Sequence, residues 1–249
     1  MSAIPDTERQ RLGRLITLLH DRPEQADDLL AREGLGAVQP TAHTVGISGA
    51  PGSGKSTLIS RVIPLLRQEG LRVAVLAIDP TSERSGGALL GDRVRMRDSY
   101  LDPGVFIRSL ATRGAPEALT RGLPAILRAT GTYSDVVLVE TAGAGQVDVG
   151  IHRLVDTFVV VLAPLGDVIT LMKAGQTEHA HVIAINVRKG LPESDRFAQE
   201  ARLLLGRDSA QPGWDRKVFP VDAKANEGVE AFVREGLLAH RDFLRRRPA

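Results

Sequence analysis

From residue 43 onward, short β-branched runs alternate with longer stretches whose apolar residues recur at helical spacing. The runs at 43–48, 72–78, 104–109, 135–140, 157–163, 181–186 and 217–221 predict strands. Several are continuously apolar rather than alternating, as in Val136, Val137, Leu138 and Val139 or Phe158, Val159, Val160, Val161 and Leu162. Strands apolar on both faces belong to mostly parallel sheets covered on both sides. Helices are predicted between them, near 55–69, 115–130, 167–178, 193–206 and 227–247. This alternation predicts an α/β fold, doubly wound around a mostly parallel sheet, with its ligand at the carboxyl ends of the strands. Ahead of it, residues 6–33 read as two helices: Leu12, Leu15, Ile16 and Leu19 share one face, and Pro23 opens a second segment carrying Leu29 and Leu30. Gly34, Gly36 and Pro40 break that pattern. The expected organisation is a helical extension over 1–42 and one nucleotide-binding domain over 43–249.

Composition narrows the classes. With 249 residues, 43% of them hydrophobic, the chain can bury one substantial core. Aromatic residues are only 4% of the chain, so Leu, Val, Ile and Ala must carry the packing. There is no cysteine, which excludes disulfides and thiolate metal sites and fits a reducing, cytoplasmic location. No apolar run reaches the ~20 residues that cross a bilayer, and the polar N-terminus lacks a signal-peptide core, so no membrane association is expected. The formal charge is +2 despite a pI near 9.2, so nothing calls for nucleic acid.

The chemistry begins after the first strand. Gly49, Ala50, Pro51, Gly52, Ser53, Gly54, Lys55 and Ser56 fit GxxxxGKS, followed by Thr57 and a helical pattern. Such a loop turns backbone N–H groups inward around an anion at a helix N-terminus, where the dipole favours negative charge. Lys55 is positioned to reach the β/γ-phosphates and Ser56 to ligate Mg²⁺. An ordinary Gly-rich turn is the bland alternative, and strand, loop and helix in this order argue against it.

Other polar residues also follow strands. Asp79 ends the second strand and Asp92 follows thirteen residues later; carboxylates beside a triphosphate suit Mg²⁺, which takes hard oxygen donors and keeps several waters. Asp79 opening a turn with Pro80, and Asp92 capping a helix, is the structural alternative. The fourth strand ends in Glu140, and Gly143 three residues on offers an N–H to the γ-phosphate, so this loop can sense whether that phosphate is present. Arg108 and Arg113 meet phosphate, a partner's carboxylate or solvent. His152, His179 and His181 have no metal spacing and read as structural or solvated.

These residues resemble the ArgK/MeaB family of P-loop GTPases, chaperones of cobalamin-dependent acyl-CoA mutases. The resemblance rests on 74–82 (AVLAIDPTS), 85–93 (SGGALLGDR), 105–114, 137–146 (VLVETAGAGQ) and 159–164 (VVVLAP), and runs from about Leu12 to the end of the core. It implies GTP and GDP as ligands, Mg²⁺ gathered by Ser56, Asp79, Asp92 and Glu140, and catalysis through Lys55, Glu140 and Asp92. It further implies a homodimer that docks on a mutase, gates loading of its cofactor, helps expel damaged cobalamin, and uses GTP hydrolysis as the timer.

Three departures stand out. The family's guanine-reading NKxD is here Asn186, Val187, Arg188 and Lys189. The lost Asp would accept two hydrogen bonds from guanine, whereas Lys offers only donors; such a contact is worth ~2–4 kcal/mol, about 30- to 1000-fold in base discrimination. A later loop, Asp222, Ala223 and Lys224, resembles the family's SAL segment with Asp in place of Ser, so Asp222 is a candidate to compensate. The segment after the fifth strand, 164–175, is shorter and less polar than the family's switch, which bears on coupling to the mutase. The sequence ends at Ala249, where typical members continue into an arm around the second subunit, so a weaker, rearranged or absent dimer is expected.

Three readings therefore stay open: a GTPase-type chaperone of a cobalamin-dependent acyl-CoA mutase, a degenerate nucleotide-binding regulator with little turnover, and an ATP-dependent kinase. No residue is an obvious general base, so slow intrinsic hydrolysis is expected.

Overall fold

In the computed structural model the described residues are 2–79, 97–111, 116–142, 150–164, 176–188, 190–206 and 211–247, with backbone alone at 79, 97, 98, 116–120 and 176. Seven strands occur where the β-branched runs predict them: β1 His43–Ser48, β2 Val73–Asp79, β3 Val105–Ala111, β4 Val136–Glu140, β5 Thr157–Leu162, β6 Val182–Asn186 and β7 Lys217–Val221. The chain divides into two compact units, Met1–Thr44 with Leu66–Thr141, and Val45–Leu65 with Ala142–Ala249.

In the first unit the strand order is β3-β2-β4, all parallel, with Ala77 opposite Glu140 and Asp79 opposite Ala111. The two acids thus close neighbouring strands at their carboxyl ends. Helix α1 (Asp6–Asp21) turns Leu12, Leu15, Ile16 and Leu19 inward, and α2 (Ala26–Arg32) adds Leu29 and Leu30, as their spacing requires. After the short α4 (Arg97–Tyr100) and β3 comes α5 (Pro116–Tyr133), which packs on α1. Gly122 permits that approach, since a Cβ there would stand 3.2 Å from the Leu19 carbonyl. Arg11 pairs with Glu33 between α1 and α2, and Arg128 donates to the Val38 carbonyl at 3.0 Å, fixing the connector that follows. Arg67, 4% exposed, is held by both Asp102 oxygens at 3.0–3.1 Å and by the Leu71 carbonyl. That guanidinium, together with the Gly104 N–H, holds the Asp102 carboxyl below its ordinary range against the opposing effect of burial.

In the second unit the order is β1-β5-β6-β7, again all parallel. Every residue of β5 is buried, as are four of five in β6. Helix α3 (Lys55–Gln68) begins directly after the Gly-rich loop, and α6 (Pro192–Leu205) lies against β7. The C-terminal helix α7 is built of Val229–Ala231, a π-helical stretch Phe232–Leu238 and Ala239–Arg245. Within the widened turn Gly236 meets Phe219 and Val182, where a Cβ would stand 3.0 and 3.2 Å from their side chains. The helix expected over 167–178 lies mostly outside the described residues; its described end, Gln176–His179, is 3₁₀.

At the amino ends of these strands histidines pack against one another and against Trp214. His181 stacks on His240 with centroids 4.5 Å apart, and Trp214 tilts against His240 at the same distance. The Phe158 N–H donates to His181 Nδ1 at 2.9 Å, and Trp214 Nε1–H donates to the His181 carbonyl. His152 and His179 stack at 4.0 Å. Burial pushes the His181 imidazole down to about 4, with Arg216 and His152 adding repulsion. An unfolded imidazole titrates near ~6.5, so below that pH the unfolded chain takes up a proton that folded His181 refuses. The stability linked to His181 is full above pH ~6.5 and is lost as pH falls toward 4. Urea unfolding should therefore weaken between pH 7 and 4.5, and His181→Asn should flatten the slope; equal slopes in both chains would contradict this.

Candidate functional site

The Gly-rich loop owes its shape to two close approaches. Gly49 has φ +145°, and a Cβ there would stand 2.2 Å from the Val161 carbonyl oxygen of the neighbouring β5. Gly54 has φ +92°, and its Cβ would stand 2.0 Å from Asn186 Nδ2. No side chain fits either place. The Ser53 N–H donates to the Ala50 carbonyl at 3.0 Å, closing the turn, and the Leu58 N–H donates to the Gly54 carbonyl at 2.8 Å, starting α3. The loop thus delivers its last residues to the N-terminus of a 14-residue helix, where the dipole favours an anion.

Lys55 is buried, and its Nζ donates to the carbonyls of Gly49 at 2.7 Å and Ala50 at 3.2 Å. The ammonium is therefore folded back over the loop rather than extended into solvent. Ser53 is fully buried, and its Oγ has no hydrogen-bond partner among the described residues. A buried hydroxyl in that position suits the acceptor oxygens of a phosphate.

Asn186 ends β6 and spans two loops with one amide. Its Nδ2 donates to the Ser53 carbonyl at 2.8 Å, while its Oδ1 accepts the Ala223 N–H at 3.1 Å. The 222–224 turn is further held by Arg61 of α3, whose guanidinium donates to the carbonyls of Ala223 at 3.2 Å and Lys224 at 3.3 Å. Asp222 Oδ1 accepts the N–H groups of Lys224 at 3.1 Å and Ala225 at 2.9 Å, an Asx-type turn. A cavity of about 550 Å³ opens here, within the usual range for small ligands. Its lining runs from Gly52 and Thr57 past Val187, Leu191 and Asn186 to Asp222 and Lys224. A groove of about 740 Å³ adjoins it through Val187 along α6, bounded by Ala198, Arg202 and Leu203.

The structure thus brings together, in one unit, loop residues Gly49, Ala50, Pro51, Gly52, Ser53, Gly54, Lys55 and Thr57 with Asn186, Asp222, Ala223 and Lys224. Ser56 is the second residue of α3. In the other unit Glu140 ends β4 and is 6% exposed, followed by buried Thr141. Asp79 ends β2, with its side chain outside the described residues, as are Asp92, Arg113, Gly143, Lys189 and the 165–175 segment. Among the described residues no group of three or more His, Cys, Asp or Glu side chains is placed to hold a metal ion. Arg108 lies within β3 rather than after it and donates to Thr17 Oγ1 at 2.7 Å, so its contact is with α1. Sequence spacing missed Arg61, Leu191 and Ser194. Arg61 is one basic residue on a helix, and nothing local ties it to a loop 162 residues later.

Nucleotide titrations test this geometry. Gly54→Ala should weaken binding about tenfold or more, since a left-handed strain of ~1–3 kcal/mol adds to the clash with Asn186. Asn186→Ala, losing two part-buried hydrogen bonds, should cost about 1–2 kcal/mol of stability as well as affinity. Unaltered affinity in Gly54→Ala would contradict the assignment of this loop.

The model of a family described as methylmalonyl Co-A mutase-associated GTPase MeaB matches residues 12–248. A Pyrococcus abyssi protein named as a candidate GTPase is 41% identical over 244 residues, covering 96% of this chain and 74% of that protein. The fused isobutyryl-CoA mutase of Nocardia farcinica is 40% identical over 229 residues, covering 89% of this chain and 21% of that longer protein. Among solved structures, a LAO/AO transport system kinase superposes with a TM-score of 0.66 at 23% identity, over 98% of this chain and 78% of that one, a likeness of fold. No described helix is long and apolar enough to cross a membrane. With its parallel α/β architecture, its phosphate loop and a match over nearly its whole length, the chain belongs to the MeaB family of mutase-associated GTPases and is a P-loop nucleoside triphosphatase.

Proposed function

We propose that this protein is a GTPase-type chaperone that binds GTP and GDP with Mg²⁺ and gates cofactor loading and protection of a cobalamin-dependent acyl-CoA mutase. The observation that carries the reading is the phosphate loop itself. Lys55 is held over Gly49 and Ala50, and Ser53 Oγ is buried within the same turn. The Nocardia protein, which carries a related segment inside a fused isobutyryl-CoA mutase, supports the choice of partner. Under this reading the domain is the 43–249 region, preceded by the 1–42 extension, and a homodimer is the form the family resemblance favours.

Each residue then has a role set by its chemistry. The loop amides at the start of α3 take the triphosphate oxygens, and Lys55 turns from the loop carbonyls to the β/γ-phosphates. Asn186 and the 222–224 turn line the base end. The donor set offered to Mg²⁺ suits it, since the Ser56 hydroxyl and the carboxylates of Asp79, Asp92 and Glu140 are hard oxygens. When bound, Mg²⁺ neutralises charge on the phosphates during transfer. Glu140, closing β4, orients the water that attacks, and Gly143 senses the γ-phosphate with its N–H. No strong base enters, so turnover alone is slow and rises when the partner orders the switch loops.

Phosphate release from GTP tests the proposal. The purified chain should release phosphate slowly, and faster with a cobalamin-dependent acyl-CoA mutase present. Glu140→Gln should retain nucleotide yet cut release by about 100-fold. A rate indifferent to the mutase would remove the chaperone role. No release under either condition would favour the nucleotide-binding regulator instead.

A further inference from the structure

The guanine-reading aspartate that the family places four residues into its NKxD motif is absent here, and the chain carries Lys189 there. Polar groups on the described wall of the 550 Å³ cavity divide by what they can offer a base. Arg188 and Lys224 are donors only, and Thr57 and Ser194 carry hydroxyls. The Asn186 amide is committed at both ends, to the Ser53 carbonyl and the Ala223 N–H. That leaves Asp222 as the anionic acceptor among the described lining residues.

Asp222 is also built to hold still. It directly follows β7, and its own N–H and carbonyl form a two-way backbone pair with Glu227 at 2.9 and 3.0 Å. Its Oδ1 takes two backbone N–H groups of its own turn, which fixes the plane of the carboxylate. The residue is 9% exposed, and both hydrogen bonds its carboxylate accepts among the described residues fall on Oδ1. A carboxylate anchored through one oxygen presents the other to the cavity without reorganisation, the arrangement that makes a charged acceptor discriminating.

Resting on the nucleotide-hydrolysing reading above, we propose that Asp222 is the specificity-determining residue for the nucleobase, its carboxylate accepting from the N1–H and 2-amino donors of guanine. The same oxygen opposite adenine would face the N1 lone pair, so the cavity selects guanine over adenine through a residue on the β7 loop rather than the β6 loop. Hypoxanthine keeps N1–H but lacks the amine and should rank between them. Xanthine, with a carbonyl in place of the amine, should be refused.

Competitive displacement of a fluorescent GDP from the full chain by GDP, IDP, XDP and ADP tests this, with Asp222→Asn and Asp222→Ser beside the parent. Both substitutions keep an acceptor for the turn N–H groups and remove the charge, so a merely structural role leaves base preference unchanged. The parent should favour GDP over ADP by about 30-fold or more. Asp222→Asn should lose about 10- to 100-fold for GDP, as expected for a charged hydrogen bond, hold its ADP affinity, and gain XDP, whose carbonyl meets the new amide. An unchanged GDP-to-ADP ratio in Asp222→Asn, or a parent that prefers ADP, overturns the assignment. Should neither variant fold, the parent's GDP-to-IDP ratio decides, a clear preference for GDP supporting carboxylate reading and equality refuting it. A parent that binds none of the four diphosphates sinks the nucleotide reading itself, which separates the two failures.

Discussion

The amide of Asn186 is the tie on which the site depends. One side chain at the end of β6 bonds the Ser53 carbonyl of the loop after β1 and the Ala223 N–H of the turn after β7. Parallel pairing of β1, β5, β6 and β7 brings those loops to one edge, but pairing alone does not set their relative height. The amide does, through one donor and one acceptor of fixed geometry. It also explains Gly54: the donor approaches so closely that any Cβ would collide with it.

Two buried cations show how the surrounding framework is kept rigid. Arg216, 5% exposed, donates to the carbonyls of Ala180, Leu205 and Glu178, joining the start of β6 to the end of α6. Lys55, equally buried, is held by the carbonyls of Gly49 and Ala50. Burying a charge is costly unless its donors are met, and in both cases backbone carbonyls are among the groups that meet them. The difference lies in permanence. Three carbonyls around a planar guanidinium make a fixed clamp, whereas a flexible lysine stem on two carbonyls can exchange them for phosphate oxygens.

Much of this was legible in the sequence because the relevant signals are local. Each strand falls on one of the predicted runs, several of them continuously apolar, and the loop from Gly49 to Ser56 declares itself by spacing between a strand and a helix. The α1 face is readable from Leu12, Leu15, Ile16 and Leu19. The end of the cavity lined by Asn186, Asp222 and Lys224 was less legible, because its parts come from far apart. Arg61 reaches a turn beyond β7, and nothing near residue 61 encodes that. The π-helical stretch in α7 was equally hidden, since it answers to Phe219 and Val182 packing on Gly236 rather than to a local propensity. His152, His179 and His181, without metal spacing, read as structural or solvated, and the structure gives them stacking partners: His152 on His179 and His181 on His240.

On the proposed function, backbone amides at the start of α3 receive the phosphates of a nucleotide. Amide chemical shifts followed by NMR as GDP and Mg²⁺ are added test it most directly. The largest changes should fall on the N–H groups of Gly52, Ser53, Gly54 and Lys55, saturating together with those of Asn186 and Ala223. Shifts that leave the loop amides unmoved while clustering elsewhere would contradict it.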